Sequence, residues 1–567
     1  MKIEDQSELL RDAESRGGFA RLGAYARLSG PGWMQSALKL GASSLSSGLY
    51  LGVLTGFSLL WLQPLAMILG IIMLSAIGYV VMSTGQRPFK AINEHLSPVL
   101  GWGWAMAALM ASVLWAVPQY SLAIGVVQQN LLPGVFGEGG VLSEFQGTLV
   151  VSLFLFVVCL SVAWSFGSGA RGVRFFDLTL KLVVLLIVLC FVGVTIRLAL
   201  SPQGFDWSAL AAGFVPDFRL FSAPPPSFDP LLSAVSSEAR IYWEEFLVRR
   251  QRDVIVAAAA ASAGVNGTFL FAYTLVRKRW GKEFRLFSRF DLVVGMFIPF
   301  SLAVSCIVVA GAAQFHTVPQ PGILEAAEAG RGAEAAAAEG VDQPSTRQVR
   351  EYRHLLERRV QPTLDADADA DALAAAVDGL GTAEKRLAAT LVTRDAAGLA
   401  KSLEPLTGPV FAHYIFGMGV LGMCVSSIIM QMLVCGFVVC EVLDRPHQGW
   451  TFRIGSLAAA ASAFVPFFWT QAFFWLAIPT SVLAAMLIPI AYTTFFLLMN
   501  RRSLLGDEMP SGKRRIAWNI CLGTALLAFT ISGTYMLWDR GGWWGIAAAG
   551  LFVLAVVVER GWRRRQT

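Results

Sequence analysis

Gly41-Ala42-Ser43-Ser44-Leu45-Ser46-Ser47-Gly48 interrupts an apolar run that otherwise extends over 32–54. A run of that length is what a helix needs to cross a hydrocarbon core about 30 Å thick at about 1.5 Å per residue. Backbone that leaves the helix at such depth persists only where protein or water satisfies its N–H and C=O groups, so small polar residues in mid-run mark a cavity. A second interruption, Gly264-Val265-Asn266-Gly267-Thr268, lies in the sixth run, 254–276. Taken singly, either interruption fits close helix packing through small residues. As a matched pair they point to an inverted-repeat membrane protein with a site between the two breaks.

Working outward, apolar runs recur at 60–82, 101–131, 147–166, 178–196, 292–313, 411–443, 454–468, 474–499, 516–538 and 543–558, which makes about twelve crossings by length. The chain has 567 residues, 55% hydrophobic and 15% charged, with a mean hydropathy of +0.58. It is too apolar for a soluble protein of this length, so its main partner is the lipid bilayer. The net charge of +6 does not point to nucleic acid, because Lys and Arg sit in short connectors between runs rather than along one face. The seven cysteines fall in or at the ends of runs without a CxxC pair and read as small core hydrophobes. The opening residues mix acids and bases before the first run and show no cleavable signal, which leaves the first crossing as the membrane signal.

Every second connector is basic, as at Arg87 and Lys90, Arg171 and Arg174, Arg277 to Arg289, and Arg501 to Arg515, and both chain ends are basic too. Retention of Lys and Arg on the cytoplasmic side predicts an inner (plasma) membrane protein with both termini inside. The expected organisation is a cytoplasmic segment over 1–30, seven crossings over 31–313 with an extracytoplasmic loop at 200–253, a polar and partly helical extracytoplasmic insertion over 314–406, and five crossings with a basic tail over 407–567. Within the loop, Arg240, Arg249, Arg250 and Arg252 break the charge pattern. In the insertion, Asp365, Asp367, Asp369 and Asp371 begin like a calcium loop, but Ala370 and Ala376 stand where the turn glycine and closing Glu are needed. They read as a solvated acidic linker, while 347–359 has helical composition.

Gly30-Pro31-Gly32-Trp33 opens the first run, Gly56-Phe57-Ser58-Leu59-Leu60-Trp61 follows the first interruption, and the eighth run continues from Phe416 through Gly436. In these residues the chain resembles the natural-resistance-associated macrophage protein (Nramp) family of divalent-metal transporters. Gly41-Ala42-Ser43-Ser44 stands in the place of the family's Asp-Pro-Gly-Asn, and Val265-Asn266-Gly267-Thr268 where the family has Met-Pro-His-Asn. The resemblance implies an all-α membrane protein with a LeuT-type inverted-repeat fold, first and sixth helices broken. It also implies a symporter working by alternating access, with a divalent metal ion as cargo and no resident cofactor.

The family holds manganese or iron with the Asp and Asn of the first break and the Met of the sixth; here those places are Gly41, Ser44 and Val265. Neutral oxygens remain at Ser43, Ser44, Asn266 and Thr268, which suit a partly hydrated hard cation, and of these Ser44, Asn266 and Thr268 are the candidate metal contacts. The expected binding set is Gly41, Ala42, Ser43, Ser44, Gly264, Val265, Asn266, Gly267 and Thr268. Acids of the family's proton route correspond to the neutral Gln119 and Gln129, and no Asp or Glu lies deep in any run. Lys39, within about one turn of the first break, either snorkels along the helix or lines the cavity, as a stand-in for a coupling cation or a partner for an anionic group. Gln431 reads as an interhelical hydrogen-bonder. No P-loop, nucleophile elbow or HExxH pattern is present, so an enzyme is not expected. Two alternatives stay open: the same fold carrying a small organic solute such as an amino acid, and a receptor or scaffold without transport that binds through 314–406.

Overall fold

The computed structural model describes residues 3–16, 23–25, 27–137, 139–166, 170–201, 206–328, 344, 346–364, 369–394, 398–400, 404, 408–468 and 476–566. Among them every regular element is a helix. The first crossing is split into Pro31–Lys39 and Ala42–Thr55, and the sixth into Ser237–Ala263 and Val265–Lys278. Among the described residues nine helices are long and apolar enough to cross a membrane. The split first crossing and the shorter ninth, Trp450–Ala460 continued to Phe468, add to these. The last helix, Gly512–Gln566, is itself two crossings, because it folds back at Gly542, whose φ of 52° favours glycine. Arg515 bonds Asn500 at one end of the molecule, Arg540 pairs with Asp253 at the other, and Arg563 returns to the first end, at the Asn93 carbonyl.

The outer surface is unlike that of a soluble protein. Phe154, Leu182, Leu189, Leu527 and Leu551 point outward and exposed, an arrangement that hydrocarbon accepts and water does not. The interior is packed with small residues that let backbones approach. A methyl group at Gly32 would lie 2.0 Å from the Asp291 carbonyl oxygen, which explains the glycine in Gly30-Pro31-Gly32-Trp33. Asp291 supplies the other half of that contact. Its carboxylate accepts from Gly32 N at 2.6 Å, Gly30 N at 3.2 Å and the Ser29 hydroxyl, capping the free N–H groups of the first half-helix.

The basic connectors gather at one end. There Arg87 reaches Glu441 at 2.9 Å and Asp444 at 2.6 Å, His447 also meets Glu441, and Arg285 meets Glu508 at 2.8 Å. The described part of 314–406 caps the other end. The expected helix at 347–359 is present as Thr346–Val360, joined by Ala370–Asp378 and Thr382–Thr390. Asp369 has a structural role as the N-cap that accepts from Ala372 N at 2.8 Å. Asp365, Asp367 and most of the connector between the ninth and tenth crossings, 469–475, lie outside the described residues.

The sixth helix begins at Ser237, well before the apolar run at 254, so much of the segment expected as a loop at 200–253 is helix. Arg249 and Arg250 have partners at the cap end. Arg250 pairs with Glu351 at 3.0 Å, Arg249 with Asp539 at 3.3 Å, and Trp243 and Arg359 share Glu384 at 3.0 Å each. The first crossing is fastened at this end by His316, whose Nδ1–H donates to the Val53 carbonyl at 2.9 Å while Ser227 donates to Nε2. Burial holds the His316 pKa below its ordinary value, which keeps the ring in the neutral form this pairing needs.

Candidate functional site

The two interruptions face one another. Leu40 and Gly41 are extended between the halves of the first crossing, and Gly264 ends the first half of the sixth. Gln35 Nε2 of the first helix donates to the Gly267 carbonyl of the sixth at 3.1 Å. Between them lies a cavity of about 20 Å³ lined by Leu38, Lys39, Ser43, Trp115, Gln119, Ala261, Asn266 and Gln431. That volume exceeds the roughly 10–15 Å³ a water needs.

Backbone freed by the breaks is largely satisfied by side chains. Gln119 Oε1 accepts from Ala42 N at 2.7 Å. The Gln119 amide also fills the space beside Gly41, where a Cβ would stand 2.5 Å from Nε2. Ser427 of the eighth crossing donates to the Leu38 carbonyl at 3.0 Å. Three of the residues lining the cavity, Ser43, Asn266 and Gln431, each carry one buried side-chain atom, Oγ, Nδ2 and Oε1 respectively, with no hydrogen-bond partner among the described residues. Gly267 N donates to Asn266 Oδ1 at 2.8 Å and Gln431 Nε2 donates to Ser427 Oγ at 3.1 Å, which leaves the other amide atom of each side chain without a partner among the described residues.

Lys39 ends the first half-helix and is only 6% exposed. Its ammonium lies beside Gly267, 3.3 Å from where a Cβ would be, so it reaches across to the sixth helix instead of snorkelling to a rim. Among the described residues no hydrogen-bond or ion-pair partner accompanies it. The oxygen-rich C-terminus of its own half-helix offsets some of the charge.

Of the expected binding residues, Ser43 and Asn266 line the cavity, joined by Lys39 and Gln119. Ser44, Thr268 and Gln129 are engaged elsewhere or placed away from it. Ser44 Oγ is closed onto Gly41 N and O at 2.9 Å each, and Thr268 Oγ1 is spent on the Val265 carbonyl and Trp104 Nε1; both hydroxyls stabilise the breaks and are not among the cavity-lining groups. Gln129 is exposed, because it lies in the π-helical turn Val127–Leu131, whose extra residue shifts the facing register and buries Asn130 in its stead. Trp115, held to Ser481 at 3.0 Å, was not foreseen, and Gln431 lines the cavity as well as bonding within its helix. Among the described residues no group of three or more His, Cys, Asp and Glu is placed to hold a metal ion.

This frame can be compared with known proteins. The family model described as natural resistance-associated macrophage protein-like matches residues 32–337 and 374–539. The chain belongs to the Nramp family. It is accordingly a multi-pass membrane protein of a transporter family and not an enzyme. Two mutant structures of the Eremococcus coleocola manganese transporter superpose with TM-scores of 0.60 and 0.59, each at 13% identity over 97% of both chains. The same transporter bound to an aromatic bis-isothiourea substituted compound gives 0.56 at 12% identity. These likenesses establish the Nramp, LeuT-type fold. Among curated proteins no sequence matches the chain.

Proposed function

We propose that this Nramp-family chain is a secondary transporter that moves one small solute at a time by alternating access, binding it between the two broken helices. The observation that carries this is the cavity between the two breaks, lined by Ser43, Asn266 and Gln431, each with a side-chain atom lacking a partner among the described residues. Unsatisfied polar groups in an apolar interior each cost about 1–3 kcal/mol, a cost that a bound guest removes. The half-helices meeting at the site give it elements that can shift as units. The basic end, by the retention of Lys and Arg, faces the cytoplasm of a plasma membrane, with both termini on that side.

A divalent metal is the cargo that family membership suggests, and manganese is the ion in the name of the structural relative. In this chain a metal would have to be held hydrated, as cargo, by the neutral oxygens of Ser43 and Gln431 with the Asn266 carbonyl shared with Gly267. Reconstitution of the full chain into proteoliposomes tests the transport itself, with manganese, magnesium, L-alanine and L-lactate offered separately. Saturable uptake of at least one, abolished by Ala261→Trp in the cavity wall, is expected. Absence of saturable uptake for all four would overturn transport and favour a receptor or scaffold.

A further inference from the structure

We propose that the cargo of this site is a small carboxylate, a hydroxy or amino acid, with Lys39 as its counter-charge. The inference rests on the transport site described above and names the chemistry that fills it. Lys39 Nζ, Asn266 Nδ2 and the Ser43 hydroxyl are three donor groups around one cavity, and all three residues are more than nine-tenths buried. An ammonium in this setting repels a bare cation and leaves its own charge uncompensated, at a cost of several kcal/mol. A carboxylate removes that cost and accepts from all three donors, forming the short charge-assisted bonds that such pairs favour. Gln431, on the same cavity, carries an acceptor, Oε1, without a donor among the described residues. It suits an O–H or N–H next to the carboxylate, which selects 2-hydroxy and 2-amino acids over simple fatty acids.

The apolar walls, Leu38, Ala261 and Trp115, admit a short aliphatic chain. At about 20 Å³ the cavity takes a head group and little more, so the rest of the solute enters as the half-helices part. Gly41 brings no carboxylate to the first break, and among the residues lining the cavity Lys39 is the one with a basic side chain.

Binding to the purified full chain in detergent tests this apart from flux, by thermal shift with L-lactate, L-alanine, acetate, sodium chloride or manganese chloride as probes. L-lactate or L-alanine is expected to raise the melting temperature more than acetate does, with chloride and manganese inert. Lys39→Met is expected to weaken binding about tenfold or more, the loss of one charge-assisted bond, and Lys39→Arg to restore part of it. Equal shifts in wild type and Lys39→Met, a response to manganese that Lys39→Met leaves intact or strengthens, or a Lys39-dependent response to chloride alone would each overturn the proposal. Should Lys39→Met not fold, Asn266→Asp, which places a carboxylate beside Lys39, is read in its place, and undiminished lactate or alanine binding there would equally overturn it. Carboxylate binding without flux in proteoliposomes would refute transport and leave the site standing; manganese flux without carboxylate binding would do the reverse.

Discussion

The middle of the molecule and its basic end bury charge on opposite terms. At the basic end Asp291 and Glu441 are almost wholly buried, and each is surrounded by donors: Ser29, Gly30 and Gly32 for the first, Arg87 and His447 for the second. At the middle Lys39 is buried nearly as deeply with no such company among the described residues. A charge whose partners are built in fastens helices together, whereas one without them is a standing demand for a guest. The difference separates the locks of the structure from its site.

Mutation separates the two kinds of charge, because they should respond with opposite signs. Asp291→Ala leaves three donors facing one another without an acceptor and is expected to cost about 3 kcal/mol or more. A detergent melting curve unchanged by Asp291→Ala would show that the cap on the first half-helix is not a lock. Glu441→Gln removes the charge between Arg87 and His447; since Arg87 is about one-third exposed, solvent screening reduces the expected loss to about 1–2 kcal/mol. Lys39→Met, in contrast, replaces an unpartnered ammonium with an apolar chain of similar length and is expected to raise stability by about 1 kcal/mol. A loss of stability there would mean that Lys39 has a partner in the resting protein.

The smallest effect belongs to the cap end, through His316. Its pKa in the folded chain lies below the unfolded value of 6.5 because of burial, so the unfolded chain binds the proton more tightly. Stability is therefore full above that value and declines as pH falls through it toward the folded pKa. In His316→Gln the part of the slope of melting temperature between pH 7 and about pH 5 that comes from this group should vanish. An unchanged slope would assign the pH response elsewhere.

Much of the frame was legible in the sequence because it rests on backbone requirements. Gly41 to Gly48 and Gly264 to Thr268 are conspicuous as small polar residues where lipid demands apolar ones, and the structure breaks both helices there. The site itself was half legible. Ser43, Asn266, Gln119 and Lys39 were found because they lie in or beside the breaks or carry the family likeness. Gln431 reads as a hydrogen-bonder between helices because that is the usual fate of one amide in an apolar run; in the structure its Nε2 bonds Ser427 of its own helix, which the sequence does not show. Gln129 is exposed for a different reason: it lies in the π turn Val127–Leu131, and such a turn adds a residue without any compositional signature. The start of the sixth helix was hidden because hydropathy records lipid and not helix, and the Ser237 end leaves the apolar layer to meet the cap.

The central claim is that the cavity between the breaks opens in turn to each side of the membrane, and Ser43 is the residue to ask. Ser43→Cys, in a chain with its seven native cysteines replaced, can be exposed to a membrane-impermeant thiol reagent from one face and then the other. The account predicts modification from both faces, slowed from either by a solute that occupies the cavity. Modification from one face only, or from neither, would contradict it.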